Sequence, residues 1–197
     1  MNNRDVRICF VGDSFVNGVA DPLYLGWVGR LCQTIRQKGF DLTAYNLGIR
    51  RNTSADILAR WQQECDCRLS DTAESWVVFS LGVNDSVIEN GRCRVSEADS
   101  EKNVRKLIQG ARKQYQVLMI GPPPIDDKEQ NQRIGLLDSV FQTVCEQESV
   151  AYLSVFDVLG KDPLWRQQVG MNDGAHPGAE GYGLLAGLIG DYFIKLL

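Results

Sequence analysis

The 197 residues carry 21 Lys and Arg against 25 Asp and Glu, a formal net charge of −4, with 44% hydrophobic and 23% charged residues. These proportions suit a globular chain forming one domain over residues 1–197, long enough to bury a substantial core. They argue against nucleic-acid binding, because the basic residues are scattered and Arg50-Arg51 is too short a cluster to make a basic stripe.

No apolar run reaches the roughly 18 residues of a membrane span. The opening MNNRDVRICFVGDS lacks the apolar core and cleavage site of a secretory leader. The expectation is a cytoplasmic protein without membrane insertion; the oligomeric state is open. Six cysteines in a chain of this length, without a leader, suit reduced thiols rather than a disulfide framework. Cys65 and Cys67 are the one spacing that hints at metal or redox chemistry, but CxC is not CxxC and no second ligand pair follows, so neither a metal nor a cofactor is expected.

In chain order, short apolar runs alternate with segments of helical period. The runs are 7–12 (RICFVG), 42–47 (LTAYNL), 75–81 (SWVVFSL), 116–121 (QVLMIG) and 150–155 (VAYLSV). They are near-continuous rather than alternating, as strands buried on both faces are. Between and after them the periodicity predicts helices over 25–38, 53–64, 97–113, 128–148 and 179–196. The fourth of these puts Ile134, Leu137, Phe141 and Val144 on one face, and the last Leu185, Leu188, Tyr192 and Leu196. Repeated β–α units with right-handed crossovers predict an α/β fold with a five-stranded parallel sheet covered by helices on both sides. In such a sheet the working cleft lies beyond the carboxyl ends of the strands.

The segments at those ends are Gly12-Asp13-Ser14, NLGIRRNTS (46–54), LGVNDS (81–86) and GPPP (121–124), joined by NDGAHPGAEGY (172–182) before the last helix. His176 is the only histidine, hence the only imidazole base available to a serine or cysteine nucleophile. Asp173, three residues before it in a glycine-rich turn, can orient the ring as a triad acid does; the same pattern also fits a turn that Asp173 caps. Ser14 alone also fits a helix N-cap, but no apolar helical period begins until about Leu25, and Gly12 and Gly18 suggest a tight loop that exposes it. The G-x-S-x-G nucleophile elbow is absent. Asn84, after a glycine at a strand end, can aim an amide into the cleft as an oxyanion donor, although GxND is also a respectable turn.

Together, GDSFVNG, GVND and DGAHP, in that order over residues 12–177, resemble the GDSL or SGNH hydrolases. The resemblance implies a flavodoxin-like three-layer α/β/α sandwich with strand order 2-1-3-4-5. It implies a metal-free esterase with Ser14 as nucleophile, His176 as base and Asp173 as orienter, and Ser14 N–H and Asn84 among the oxyanion donors. It departs from the family in reading GDSF for GDSL, and in having Arg51 where members usually carry a glycine whose N–H completes the oxyanion hole. Arg51, on register, is the expected donor, with Gly48, three positions earlier, easing the turn; the alternative is that Gly48 supplies the donor. The expected substrate is a small or short-chain ester, with residues 86–96 and prolines 122–124 near the pocket. Two other classes fit parts of the pattern. One is a non-catalytic carbohydrate- or ligand-binding module on the same fold. The other is an Asp13-based phosphotransferase or dehalogenase, which would want an aspartate where Phe15 stands.

Overall fold

A computed structural model describes residues 4–197; the expectations about residues 1–3 lie outside the described residues. In chain order the elements are β1 (Asp5–Gly12), α1 (Ser14–Asn17), α2 (Gly26–Gln37), β2 (Asp41–Gly48), α3 (Ser54–Asp66), β3 (Glu74–Ser80), β4 (Ile88–Glu89), β5 (Arg92–Cys93), α4 (Glu97–Ala111), β6 (Gln116–Ile120), α5 (Lys128–Gln147), β7 (Ala151–Leu153), α6 (Phe156–Lys161), α7 (Pro163–Gly170) and α8 (Ala179–Phe193). Five strands form one parallel sheet in the order β2-β1-β3-β6-β7, while β4 and β5 pair antiparallel in a small hairpin of their own. Leaving the hairpin aside, this is the predicted order 2-1-3-4-5.

Strand side chains alternate between faces, and that alternation divides the interior in two. Val6, Ile8 and Phe10 of β1, Trp76 and Val78 of β3, and Leu118 and Ile120 of β6 point into a core shared with α2, α7 and α8. Cys9 and Val11, Val77 and Phe79, and Val117 and Met119 point to the opposite core, with α3, α4 and α5. Central strands apolar on both faces read as unbroken runs for this reason. β2 is an edge strand and none of its residues is fully buried.

The five predicted helices are present within a few residues of their expected limits. On α5, Ile134, Leu137, Phe141 and Val144 are buried as expected. On α8 the buried face is Tyr182, Leu185, Ala186, Ile189 and Phe193, whereas Leu196 lies beyond the helix and is exposed. That helix is apolar around most of its circumference, so its own periodicity selects no single face. Five short elements carry too few residues to show a period: α1, α6, α7 and the two hairpin strands. No helix among the described residues is long and apolar enough to cross a membrane. Cys65 is buried, whereas Cys67 is exposed.

The carboxyl ends of the central strands approach closely at glycines. Gly12 pairs with Gly48 on one side and Ser80 on the other. A Cβ on Gly12 would sit 2.0 Å from the Ser80 carbonyl oxygen, and one on Gly48 only 2.2 Å from the Asn17 backbone nitrogen. Both positions exclude a side chain, and this lets the turn after β1 nest against its neighbours.

Candidate active site

The chain leaves β1 at Gly12 and turns at once into the single helical turn α1, so Ser14 is its first residue and Asp13 its cap. Asp13 Oδ1 accepts from Phe15 N–H at 2.9 Å. The N-cap role that Ser14 alone could have filled thus belongs to its neighbour, and the serine hydroxyl is free for another partner. Gly18 ends the turn in the left-handed region (φ 85°), its N–H returning to the Ser14 carbonyl. Two asparagines fasten this turn to β2: Asn17 Nδ2 donates to Gly48 O at 3.1 Å and Asn46 Nδ2 to Val16 O at 2.8 Å.

His176 reaches the same point from the turn before α8. Its Nε2 lies 2.8 Å from Ser14 Oγ and its Nδ1 lies 2.7 Å from Asp173 Oδ2. A carboxylate can only accept, so the ring proton sits on Nδ1 and leaves Nε2 as acceptor for the serine hydroxyl. Asp173 Oδ1 also accepts from the Ala175 and His176 N–H groups, at 3.0 and 2.8 Å. Burial works against the Asp173 charge, but these hydrogen bonds prevail and hold its carboxyl below the ordinary value of 3.8. Ser14 and His176 are both buried. Phe15 packs its ring against the imidazole, with centroids 4.8 Å apart; the residue that distinguishes GDSF from GDSL is therefore a wall of the histidine's pocket. Asn172 Nδ2 donates to His176 O, which holds the turn at its other end.

Asn84 reaches the residue beside Ser14. Its Nδ2 donates to Asp13 Oδ2 and to the Asn52 carbonyl, both at 3.1 Å. Among the described residues no acceptor faces the backbone N–H of Ser14 or Arg51, whereas Gly48 N–H is committed to Asn46 Oδ1 at 3.0 Å. Arg51 adopts φ 66°, the left-handed conformation that a glycine takes without steric cost and that costs other residues about 1–2 kcal/mol. Its side chain points outward and pairs with Glu89 of the hairpin at 2.8 Å. Below Asn84, the buried Asp85 ties the loop to two helices, accepting from Ser54 N–H and Ser100 Oγ, each at 2.7 Å.

The Asp13 carboxylate is enclosed, and both its oxygens are used as acceptors. Burial pushes its carboxyl up to about 7; the Asp85 charge adds to this, against the opposing pull of Phe15 N–H and the Asn84 amide. Its folded value therefore lies above its unfolded one. The stability this group contributes is fully present below about 4 and is lost as pH rises through about 7. Asp173 has the opposite sign, contributing stability that is present above its unfolded value and lost as pH falls through its depressed folded value. Urea titrations of the wild type and Asp13→Asn should separate the two. The stability difference, wild type minus variant, should fall between pH 4 and pH 7 by at most about 1.4 kcal/mol per pH unit, and then level off. A difference independent of pH would show that Asp13 titrates normally.

A serine hydroxyl, an imidazole and a carboxylate in hydrogen-bonded sequence, at the carboxyl edge of a 2-1-3-ordered parallel sheet, define an α/β protein of hydrolase type. Residues 10–184 match the profile of the GDSL-like Lipase/Acylhydrolase family; the chain belongs to that family and is a carboxylic ester hydrolase. It is 25% identical over 193 residues to an arylesterase of Vibrio mimicus, covering 97% of this chain and 90% of that one. It is 29% identical over 150 residues to esterase TesA of Pseudomonas aeruginosa, covering 74% and 68%. Among solved structures, a lipase/acylhydrolase from Enterococcus faecalis superposes with a TM-score of 0.79 at 24% identity, covering 97% of this chain and 96% of that one. Axe2, an acetylxylan esterase from Geobacillus stearothermophilus, does so with a TM-score of 0.73 at 17% identity, covering 93% and 91%. Family membership leaves no support for the non-catalytic module or for the phosphotransferase reading, and the enclosed Asp13 carboxylate is not presented as a nucleophile.

Three residues of this region were not among the expected site residues. Phe15 was visible only as a departure from a motif. Asn52 and Arg60 make contacts that no local spacing announces.

Proposed function

We propose that the protein hydrolyses small or short-chain carboxylic esters through an acyl-enzyme on Ser14, with His176 as general base and acid and Asp173 holding the imidazole in its Nδ1–H tautomer. The observation that carries this reading is the continuous relay from Asp173 Oδ2 to His176 Nδ1 (2.7 Å) and from His176 Nε2 to Ser14 Oγ (2.8 Å). His176 Nε2 takes the hydroxyl proton as Oγ attacks the ester carbonyl. The C=O π electrons move to oxygen, and the oxyanion is met by Ser14 N–H, Arg51 N–H and the Asn84 amide. Collapse of this intermediate expels the alcohol, which takes its proton from Nε2, and water then repeats the sequence on the acyl group. Arg51 rather than Gly48 is assigned the second backbone donor, because its N–H has no acceptor among the described residues and that of Gly48 does.

Asn84 must turn one N–H from Asp13 or from the Asn52 carbonyl toward the oxyanion. At 3.1 Å these bonds lie toward the long end of the ordinary range, and catalytic hydrogen bonds commonly tighten only when charge develops. A small substrate is favoured because the segments after β1, β2, β3 and β6 add only the four-residue turn α1 and the β4–β5 hairpin as regular structure before the next long helix. The aryl and acetyl esters that name two of the similar proteins fall in the same size class.

The test is a p-nitrophenyl ester series from acetate through butyrate and octanoate to palmitate, followed by labelling with a fluorophosphonate and peptide mass mapping. Turnover should be greatest on the shorter esters, and the adduct should map to Ser14. An active enzyme whose label lands elsewhere would refute the nucleophile, and a preference for palmitate would refute the substrate class.

A further inference from the structure

Arg60 sits on α3, yet its guanidinium bonds mainly to groups outside that helix. Nη2 donates to the carbonyls of Gly12 at 2.9 Å and Leu47 at 3.0 Å, Nε to Asn52 Oδ1 at 2.7 Å, and Nη1 to Glu64 at 3.1 Å. Its side chain is 16% exposed. The acceptors have one thing in common. Gly12 O lies at the end of β1, two residues before the nucleophile. Leu47 O lies at the end of β2. Asn52 adjoins Arg51, and its own carbonyl accepts from Asn84. One planar group therefore spans the turn that carries Ser14 and the loop that carries Arg51.

We propose that Arg60 is a positioning residue for ester hydrolysis, setting the spacing between the Ser14 turn and the 49–53 loop and so the geometry of the oxyanion hole. The proposal rests on the reading of Ser14 and Arg51 given above. The loop needs such a tether. Arg51 holds a left-handed backbone that an arginine adopts at a cost, and the loop's own backbone bonds are few: Ile49 N to Gly12 O at 3.1 Å and Asn52 N to Ile49 O at 3.2 Å. A guanidinium fixes several donors in one plane, which a lysine on a flexible stem cannot reproduce. Helix α3 does not depend on it for docking. Its start is closed by the reciprocal Thr53–Asp56 capping box, and Ile57, Trp61 and Cys65 anchor it in the core.

In purified, folded protein, Arg60→Ala should lower kcat for p-nitrophenyl acetate by about 10- to 100-fold, less than deletion of an oxyanion donor, with KM changed less than about threefold; Arg60→Lys should recover only part of the loss. The loss should be less than additive with Asn84→Ala, since both act on the same transition-state charge. Asn52→Ala, which removes only the Nε acceptor, should lower kcat in the same direction, and Asn52→Asp, which keeps an acceptor for Arg60, should restore it. The Asn52 pair decides the question if Arg60→Ala does not fold. Wild-type kcat in Arg60→Ala or in Asn52→Ala, a loss confined to KM, or strict additivity with Asn84→Ala would overturn the proposal. Ser14→Ala run alongside separates the two levels: if it stays active, the serine reading fails and the Arg60 assignment falls with it, whereas an inactive Ser14→Ala beside an unimpaired Arg60→Ala removes the positioning role alone.

Discussion

Ser14→Ala is expected to lower kcat on p-nitrophenyl acetate by about 10⁴- to 10⁶-fold while the protein remains folded. In the proposed mechanism the lost oxygen forms the acyl-enzyme, and among the described residues no other nucleophilic side chain is hydrogen-bonded to His176 Nε2. The cost to the fold is small, because the Ser14 backbone bonds that build α1 do not involve the hydroxyl. His176→Ala should be about as damaging, and the double variant little worse than either single one, because serine and histidine act as one unit and their effects do not add. Steady-state kinetics with circular dichroism on all three proteins makes the comparison. Residual activity near wild type in either single variant, or losses that multiply in the double, would contradict the relay.

Asn84→Ala is expected to cost about 10²- to 10³-fold in kcat with little change in KM, the usual loss when one oxyanion donor is removed. In the free enzyme the amide is shared between Asp13 Oδ2 and Asn52 O. Deleting it therefore also removes a neighbour that favours the ionised Asp13 carboxylate. The variant should show its catalytic loss at every pH and, in addition, an Asp13 carboxyl raised further above its ordinary value. A KM effect without a kcat effect would move Asn84 from transition-state stabilisation to substrate binding.

The balance at Asp13 has a physical logic. Ionised, it offers an acceptor to both Phe15 N–H and Asn84 Nδ2; protonated, it directs a hydrogen toward one of these donors and loses that bond. Burial favours the second state, and the two donors, with a smaller contribution from Asp13's own backbone N–H, oppose it. The residue beside Ser14 thus couples the cap of α1 to the orientation of the proposed oxyanion amide.

The five sheet strands were legible because the central ones are apolar on both faces and the chain has no other way to bury such runs. The final run was too long: only Ala151–Leu153 pair as a strand, and Val155 goes on into the core at the start of α6. The apolar face of α8 was misjudged for a related reason, since a helix apolar nearly all round takes its orientation from the sheet and α2 rather than from its own period. That Ser14, Asn84, Asp173 and His176 emerge at one edge of the sheet was legible because each sits in a short motif after a strand or before the last helix.

What the linear order could not contain is the meeting of distant groups. Arg60 binds Gly12 O across 48 positions, and Asn84 meets Asp13 across 71. Nothing in the spacing of the chain encodes those contacts, which arise only once parallel pairing brings the ends of β1, β2 and β3 side by side. The choice of Arg51 over Gly48 in the proposed mechanism rests on the same kind of fact, since the Gly48 N–H already donates to Asn46 Oδ1. Residue type and order determined which chemical groups are present and on which edge of the sheet they emerge. Their tautomers, partners and free donors belong to the tertiary structure, because a hydrogen bond depends on distance and direction in space.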